Sequence, residues 1–360
     1  MVVPKTMQAV MVRGIQDYRL TVAPVPEIGP GEVLVRTLAT GVCASDLKTY
    51  WGAPRIWGDD QMPAYIQTPV IPGHEFVGRV VALGEGAGEK HGLAIGDLAV
   101  SEQILPCWQC RFCQRGQYWQ CQQHDIYGFI RGRAEGSWAE YIKFPANAIN
   151  HKVPSAVKPE HAALVEPLAC AIHAVERGEI QLGDTVVIAG MGPIGLCMLQ
   201  IARLRSPTML IALDLRPKRL AVARELGADL ALNPQEENVV EHVLNLTDGY
   251  GCDVYIEASG AGAAVLQGLG MIRRLGTFVE FSVHEEPVAV DWSIIGDAKE
   301  LNIHGSHLGP YCYPRAIRYI SDGTIAADKI VTHALPLTEF QQALELVHSQ
   351  VDSIKVVLLP

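Results

Sequence analysis

Two textures of apolar and polar positions divide the chain. Through about residue 167 the apolar runs are short and β-like, as in Gln8-Ala-Val-Met-Val12, Glu32-Val-Leu-Val-Arg36 and Gly78-Arg-Val-Val-Ala82. Thirteen of the 22 prolines fall in the same stretch and interrupt these runs. Short strands punctuated by proline and glycine predict a loop-rich, barrel-like β domain.

From Gly183 strand-like runs alternate with helical patterns. Strands are predicted at Thr185–Ala189, Leu210–Leu213, Leu230–Leu232, Val254–Glu257, Thr277–Phe281 and Leu301–His304. The helices between them fall at Gly192–Arg205, Arg216–Leu226, Glu236–Leu246 and Ala261–Arg274. Such alternation predicts a parallel, doubly wound sheet, and with it an α/β protein. The C-terminal segment adds helical stretches at Pro314–Ser321 and Leu337–His348 and a closing strand, Ile354–Leu358. Val186–Ala202 is apolar enough to suggest a membrane helix. Three glycines and a proline in its first ten residues favour strand, turn and buried helix instead.

Length and charge narrow the picture. At 360 residues the chain has room for two domains. Its formal charge of -10, without a basic stripe, speaks against nucleic acid as a partner. The opening MVVPKTMQAVMVRG lacks the apolar core of a secretory signal. Nine cysteines without such a signal predict a reducing, cytoplasmic setting, with no membrane association.

Gly190-Met-Gly-Pro-Ile-Gly195 fits G-x-G-x-x-G between a predicted buried strand and an apolar helix. Gly190, Gly192 and Gly195, with Pro193 and Ile194, would let the backbone approach a pyrophosphate at the helix N-terminus. Asp214 lies 19 residues past Gly195, where a carboxylate accepts from ribose hydroxyls and repels a 2′-phosphate. NAD is therefore expected, although Arg216 and Arg219 follow closely and a basic residue there can accommodate NADP. Ser259 and Ser282, at the carboxyl ends of the fourth and fifth predicted strands, are expected to border the cofactor.

Cys107, Cys110, Cys113 and Cys121 read C-x2-C-x2-C-x7-C. Four thiolates on one loop close a tetrahedral shell around zinc and leave no open position, so the site is structural. An iron–sulfur run would want closer final spacing, and disulfides fit poorly without secretion. Elsewhere Cys43 offers a thiolate, His74 an imidazole, and Glu75 or Glu166 a carboxylate. Those are the ligand types of a catalytic zinc, which keeps its fourth position open.

Cys43-x-Ser45-Asp46, Gly73-His74-Glu75, the cysteine lobe, Glu166-Pro167, and Gly183-Asp184 ahead of the glycine turn together resemble the zinc-dependent medium-chain dehydrogenases. The resemblance covers essentially the whole chain. Carboxylates at Glu75 and Glu166 look like the branch of sorbitol (polyol) and threonine dehydrogenases. Simple alcohol dehydrogenases more often carry a second cysteine where Glu166 stands. Within that branch the chain is similar to bacterial dehydrogenases of four-carbon sugar alcohols such as erythritol and threitol.

The resemblance implies a GroES-like, β-rich catalytic domain from residues 1–158 and 307–360 and a Rossmann NAD-binding domain over 159–306. It implies one catalytic and one structural zinc per chain and a homo-oligomer, since relatives are usually dimers or tetramers. Cys43, His74 and Glu75 would hold the catalytic zinc, with Glu166 as a ligand or as the group holding a zinc-bound water. Asp46 would hydrogen-bond the free nitrogen of His74, and Ser45 would take the alcohol proton. An alcohol releases hydride only near the alkoxide state, and zinc lowers the pKa that stands in the way.

Two departures stand out. Many relatives place a histidine five residues after the ligand cysteine, where this chain has Lys48, so water or Glu166 would continue the relay from Ser45. The segment from Trp51 to Ile71 is longer than usual; Trp51, Trp57, Tyr65, Asp59 and Asp60 line a substrate mouth or pack as a surface loop. By position Tyr50, Phe129 and Leu308 touch substrate or belong to the core. His304 and His307 fit structural or subunit contacts better than metal ligation, and Lys355 is either a neighbour of the cofactor or a solvated charge.

Three functions remain open at this point. One is an NAD-linked polyol dehydrogenase that makes a ketose. The second is a threonine 3-dehydrogenase-like or simple alcohol dehydrogenase. The third is a non-catalytic nucleotide-binding protein with structural zinc only.

Overall fold

Val33–Val42 is a strand buried along almost its whole length, and it lies at the centre of a seven-stranded sheet. The computed structural model describes residues 3–360. In sheet order the strands are Val331–Pro336, Lys355–Leu359, Val33–Val42, Phe76–Leu83, Leu98–Ser101 and Asn150–Val153, and Tyr141–Phe144 also pairs with Val33–Val42. The closing strand of the chain is thus a direct neighbour of one of the first. A hairpin, Thr6–Gly14 with Asp17–Pro24, adds to this unit, which comprises Met1–Glu166 and Tyr313–Pro360. Trp138, Tyr127, Phe144 and Val35 lie in its core.

The second unit, Pro167–Cys312, is a parallel six-stranded sheet. Its strands are Thr185–Ala189, Met209–Leu213, Leu230–Leu232, Cys252–Glu257, Ile272–Glu280 and Asn302–Gly305. Numbered within the unit, they lie in the order 3-2-1-4-5-6, which is the dinucleotide-binding arrangement with its switch point beside the first strand. The predicted helix Ala261–Arg274 is shorter, Gly262–Met271, and the following strand starts at once. Lys299 explains the stop: its ammonium donates to the carbonyls of Leu269, Gly270 and Ile272 at 2.6–3.0 Å, groups that the helix end leaves unpaired. Among the described residues no helix is long and apolar enough to cross a membrane, and Val186–Ala202 is a strand, a turn and a buried helix.

Candidate active site

Strand register brings the first set of site residues together. Val356 pairs with Val42, and Thr40 pairs with Phe76. Cys43 therefore leaves the end of one strand between Lys355 on one side and His74-Glu75 on the other. One ligand atom from each of Cys43, His74 and Glu75 lies within 4.8 Å of the others. His74 and Glu75 are buried.

This pocket suits a cation. The Nδ1 of His74 is buried and has no hydrogen-bond partner, while Nε2 lies 3.5 Å from the Ser45 hydroxyl. Burial is the largest single effect and lowers the imidazole; Cys43, Asp46 and Glu166 together outweigh it and raise His74 to about 10. Such a crowd of negative groups around one ring is what a bound zinc would neutralise. Glu75 is ion-paired with Lys355, whose ammonium also donates to the Val42 carbonyl at 3.1 Å. Lys355 is 2% exposed, which excludes the solvated charge that its position at the chain end allows.

Asp46 departs from expectation. Its carboxylate accepts the Cys43 N–H at 2.8 Å and caps the helix Ala44–Trp51, and it makes no hydrogen bond to His74 Nδ1. The capping geometry commits the side chain to the helix start, so its influence on the ring is by charge. Glu166 is also buried, and the Gln103 amide donates to it. Neither Gln103 nor Tyr313, which in turn donates to Gln103 at 2.7 Å, carries any motif spacing that would expose it in the sequence.

Neighbouring aromatics divide between site and core. The Phe129 ring is 6.0 Å from the His74 ring, and Tyr65 packs on Phe129 at 5.4 Å. Tyr50 packs against Tyr18 and Trp51. Trp57 donates to the Thr49 carbonyl at 2.7 Å and Tyr65 to that of His124 at 2.7 Å, so both tie their segment to the body of the unit. Trp51, Asp59 and Asp60 are exposed.

The four lobe cysteines also converge, with their sulfurs within 4.8 Å of one another. Backbone N–H groups point at the sulfurs: Cys107 N to Cys121 at 3.3 Å, Cys110 N to Cys107 at 3.3 Å, and Gln122 N to Cys110 at 3.4 Å. Backbone donors from Cys113 and Gln122 hold the Cys110 thiol down at about 6, whereas burial pushes Cys113 up to about 12. None of the four is in a disulfide. A closed shell of four sulfurs with N–H support matches a structural zinc.

The second unit presents the glycine turn. Gly190 has φ +94°, a conformation that side chains rarely adopt, and a Cβ on Gly195 would run into the Gly190 carbonyl. Gly192 caps the helix Pro193–Arg203, with Pro193 in its first turn. Asp214 accepts the Met191 N–H inside the turn and the Arg216 N–H, each at 2.7 Å. Arg219 lies 4.0 Å from Asp214, and its Nε is buried without a partner. That orphaned donor beside a helix N-terminus suits a dinucleotide.

Ser259 and Ser282 sit in turns held by carboxylates that have no motif. Glu257 accepts from the backbone and hydroxyl of Ser259, and Glu280 accepts the Ser282 N–H at 3.0 Å. His284 approaches both, at 3.9 and 3.3 Å. His304 binds the Arg177 carbonyl at 2.7 Å, a structural role.

The description "Alcohol dehydrogenase GroES-like domain" matches residues 29–155, and "Zinc-binding dehydrogenase" matches residues 193–322. An erythritol/L-threitol dehydrogenase of Mycolicibacterium smegmatis is 53% identical, over 99% of both chains. An L-threonine 3-dehydrogenase of Pyrococcus horikoshii is 36% identical over 90% of both chains. A Sinorhizobium meliloti protein solved as a zinc-binding dehydrogenase bound to NADP superposes with a TM-score of 0.89, at 29% identity, over 99% of this chain and 100% of its own. These similarities set aside the non-catalytic alternative. The chain belongs to the zinc-dependent medium-chain dehydrogenase family, in its polyol branch, and is a zinc-containing alcohol or polyol dehydrogenase.

Proposed function

We propose that the protein oxidises a four-carbon sugar alcohol, of the erythritol or threitol kind, to a ketose with NAD as acceptor. The observation that carries this reading is the meeting of Cys43, His74 and Glu75 in a chain 53% identical, end to end, to an erythritol/L-threitol dehydrogenase. Residues 1–158 and 307–360 form the catalytic domain in this reading, and 159–306 the cofactor domain. When bound, zinc supplies a Lewis acid for the substrate hydroxyl, and NAD supplies the hydride acceptor.

The residues do the rest. Cys43, His74 and Glu75 hold the metal, and Lys355 fixes the Glu75 carboxylate. Ser45, within 3.5 Å of the His74 ring, takes the hydroxyl proton. Glu166 serves as a further ligand or holds a water at the metal. Gly190, Gly192, Pro193, Ile194 and Gly195 receive the pyrophosphate, and Arg219 lends it charge. Asp214 receives the ribose and disfavours a 2′-phosphate.

A panel of erythritol, D- and L-threitol, sorbitol, L-threonine and 2,3-butanediol, followed by NADH formation, tests the assignment. The reading expects the highest kcat/KM with a four-carbon polyol. Equal or faster turnover of L-threonine would overturn it.

A further inference from the structure

Glu166 is the last residue of the first unit before the chain leaves it, Tyr313 is the residue at which the chain returns, and Gln103 bridges the two. All three are buried. The Gln103 amide nitrogen donates to Glu166 Oε1, and the Tyr313 hydroxyl donates to Gln103 Oε1 at 2.7 Å. The same phenol oxygen accepts the Gln103 backbone N–H at 3.2 Å.

Directionality follows from donor and acceptor counts. A backbone N–H can only donate, so the single proton of Tyr313 goes to the amide oxygen. With that oxygen engaged, the NH₂ group is turned to Glu166, whose ionised carboxylate can only accept. The reverse amide orientation would set two acceptors against each other in a buried site. Tyr313 is itself held: His151 stacks on its ring at 5.4 Å, and His151 contacts the buried Glu102 at 3.0 Å.

We propose that Gln103 and Tyr313 are positioning residues for the reaction. Tyr313 sets the orientation of the Gln103 amide, and the amide fixes the Glu166 carboxylate, whose charge reaches both His74 and Lys355. The proposal rests on the reading of Glu166 as a member of the active site.

Steady-state kinetics with NAD and the best polyol of the panel test it, alongside melting temperature and zinc content. Gln103→Met and Tyr313→Phe are expected to lower kcat by about 10- to 100-fold, the usual cost of losing a group behind a metal site. The KM for NAD and the zinc content should stay within about twofold of the parent, a split that general misfolding would not give. The double variant Gln103→Glu with Glu166→Gln swaps donor and acceptor while keeping every bond of the chain. It should melt near the parent temperature and yet have a kcat as low as Glu166→Gln alone. A kcat within about twofold of the parent in both Gln103→Met and Tyr313→Phe, with Glu166→Gln inactive, would overturn this proposal and leave the site intact. Recovery of kcat in the double variant would overturn it as well. Parent-level kcat in Glu166→Gln would overturn the reading of Glu166 beneath it.

Discussion

Lys355 and Glu75, 280 residues apart in the chain, form an ion pair in which both side chains are 2% exposed. The pair exists because the closing strand lies against Val33–Val42, which in turn lies against Phe76–Leu83. It joins the C-terminal end of the chain to the pocket where Cys43, His74 and Glu75 meet.

Removing one partner of such a pair leaves a buried, uncompensated charge. Lys355→Met is therefore expected to destabilise the protein by about 3 kcal/mol, measured by denaturant unfolding of the variant against the parent. Burial opposes the ammonium, but Glu75 and then Cys43 outweigh it and hold Lys355 above the ordinary lysine value. A raised basic group contributes fully below its unfolded value of about 10.4 and loses its effect only as pH rises through the higher folded value. Titration of Lys355 itself should therefore remove none of the penalty between about pH 6 and about pH 9, since both lie below that window. A penalty that vanished at the higher pH would contradict the pairing.

Asp214 is the chief argument for NAD. Its carboxylate accepts from the turn backbone at Met191 and stands 4.0 Å from Arg219. Asp214→Ser should shift the NADP to NAD ratio of kcat/KM toward NADP by about tenfold or more, ~1.4 kcal/mol, as the repelling charge disappears and Arg219 is freed. An unchanged ratio would remove Asp214 from cofactor choice.

The cysteine lobe should report on stability. Cys110→Ser is expected to cost one zinc per chain, read by elemental analysis, and to lower the melting temperature. The zinc at Cys43, His74 and Glu75 should remain in the folded fraction. Unchanged zinc content would mean that the four sulfurs hold no metal.

The legible parts of this molecule were those with short-range periodicity or fixed spacing. Alternating strands and helices from Thr185 onward, the glycine turn and the four cysteines all depend on neighbours within about twenty residues. The end of the helix at Met271 was not legible, because the group that stops it, Lys299, arrives from a later loop. The hydrogen bond from the Cys43 N–H to Asp46 has no signature in the motif, because it depends on the backbone geometry of the helix start. Lys355 stayed ambiguous because its partner is set by strand order, and a lone lysine in a strand has no signature of its own. Gln103 and Glu257 were silent for the same reason, since single polar side chains acquire meaning only from what the fold brings to them.

Zinc content and NADH formation of Cys43→Ser, measured with a four-carbon polyol, decide whether Cys43 holds the zinc that the reaction uses. The variant is expected to keep the lobe zinc, lose the second zinc, and lose NADH formation by at least about a thousandfold. Full activity in a variant carrying only the lobe zinc would contradict that role for Cys43.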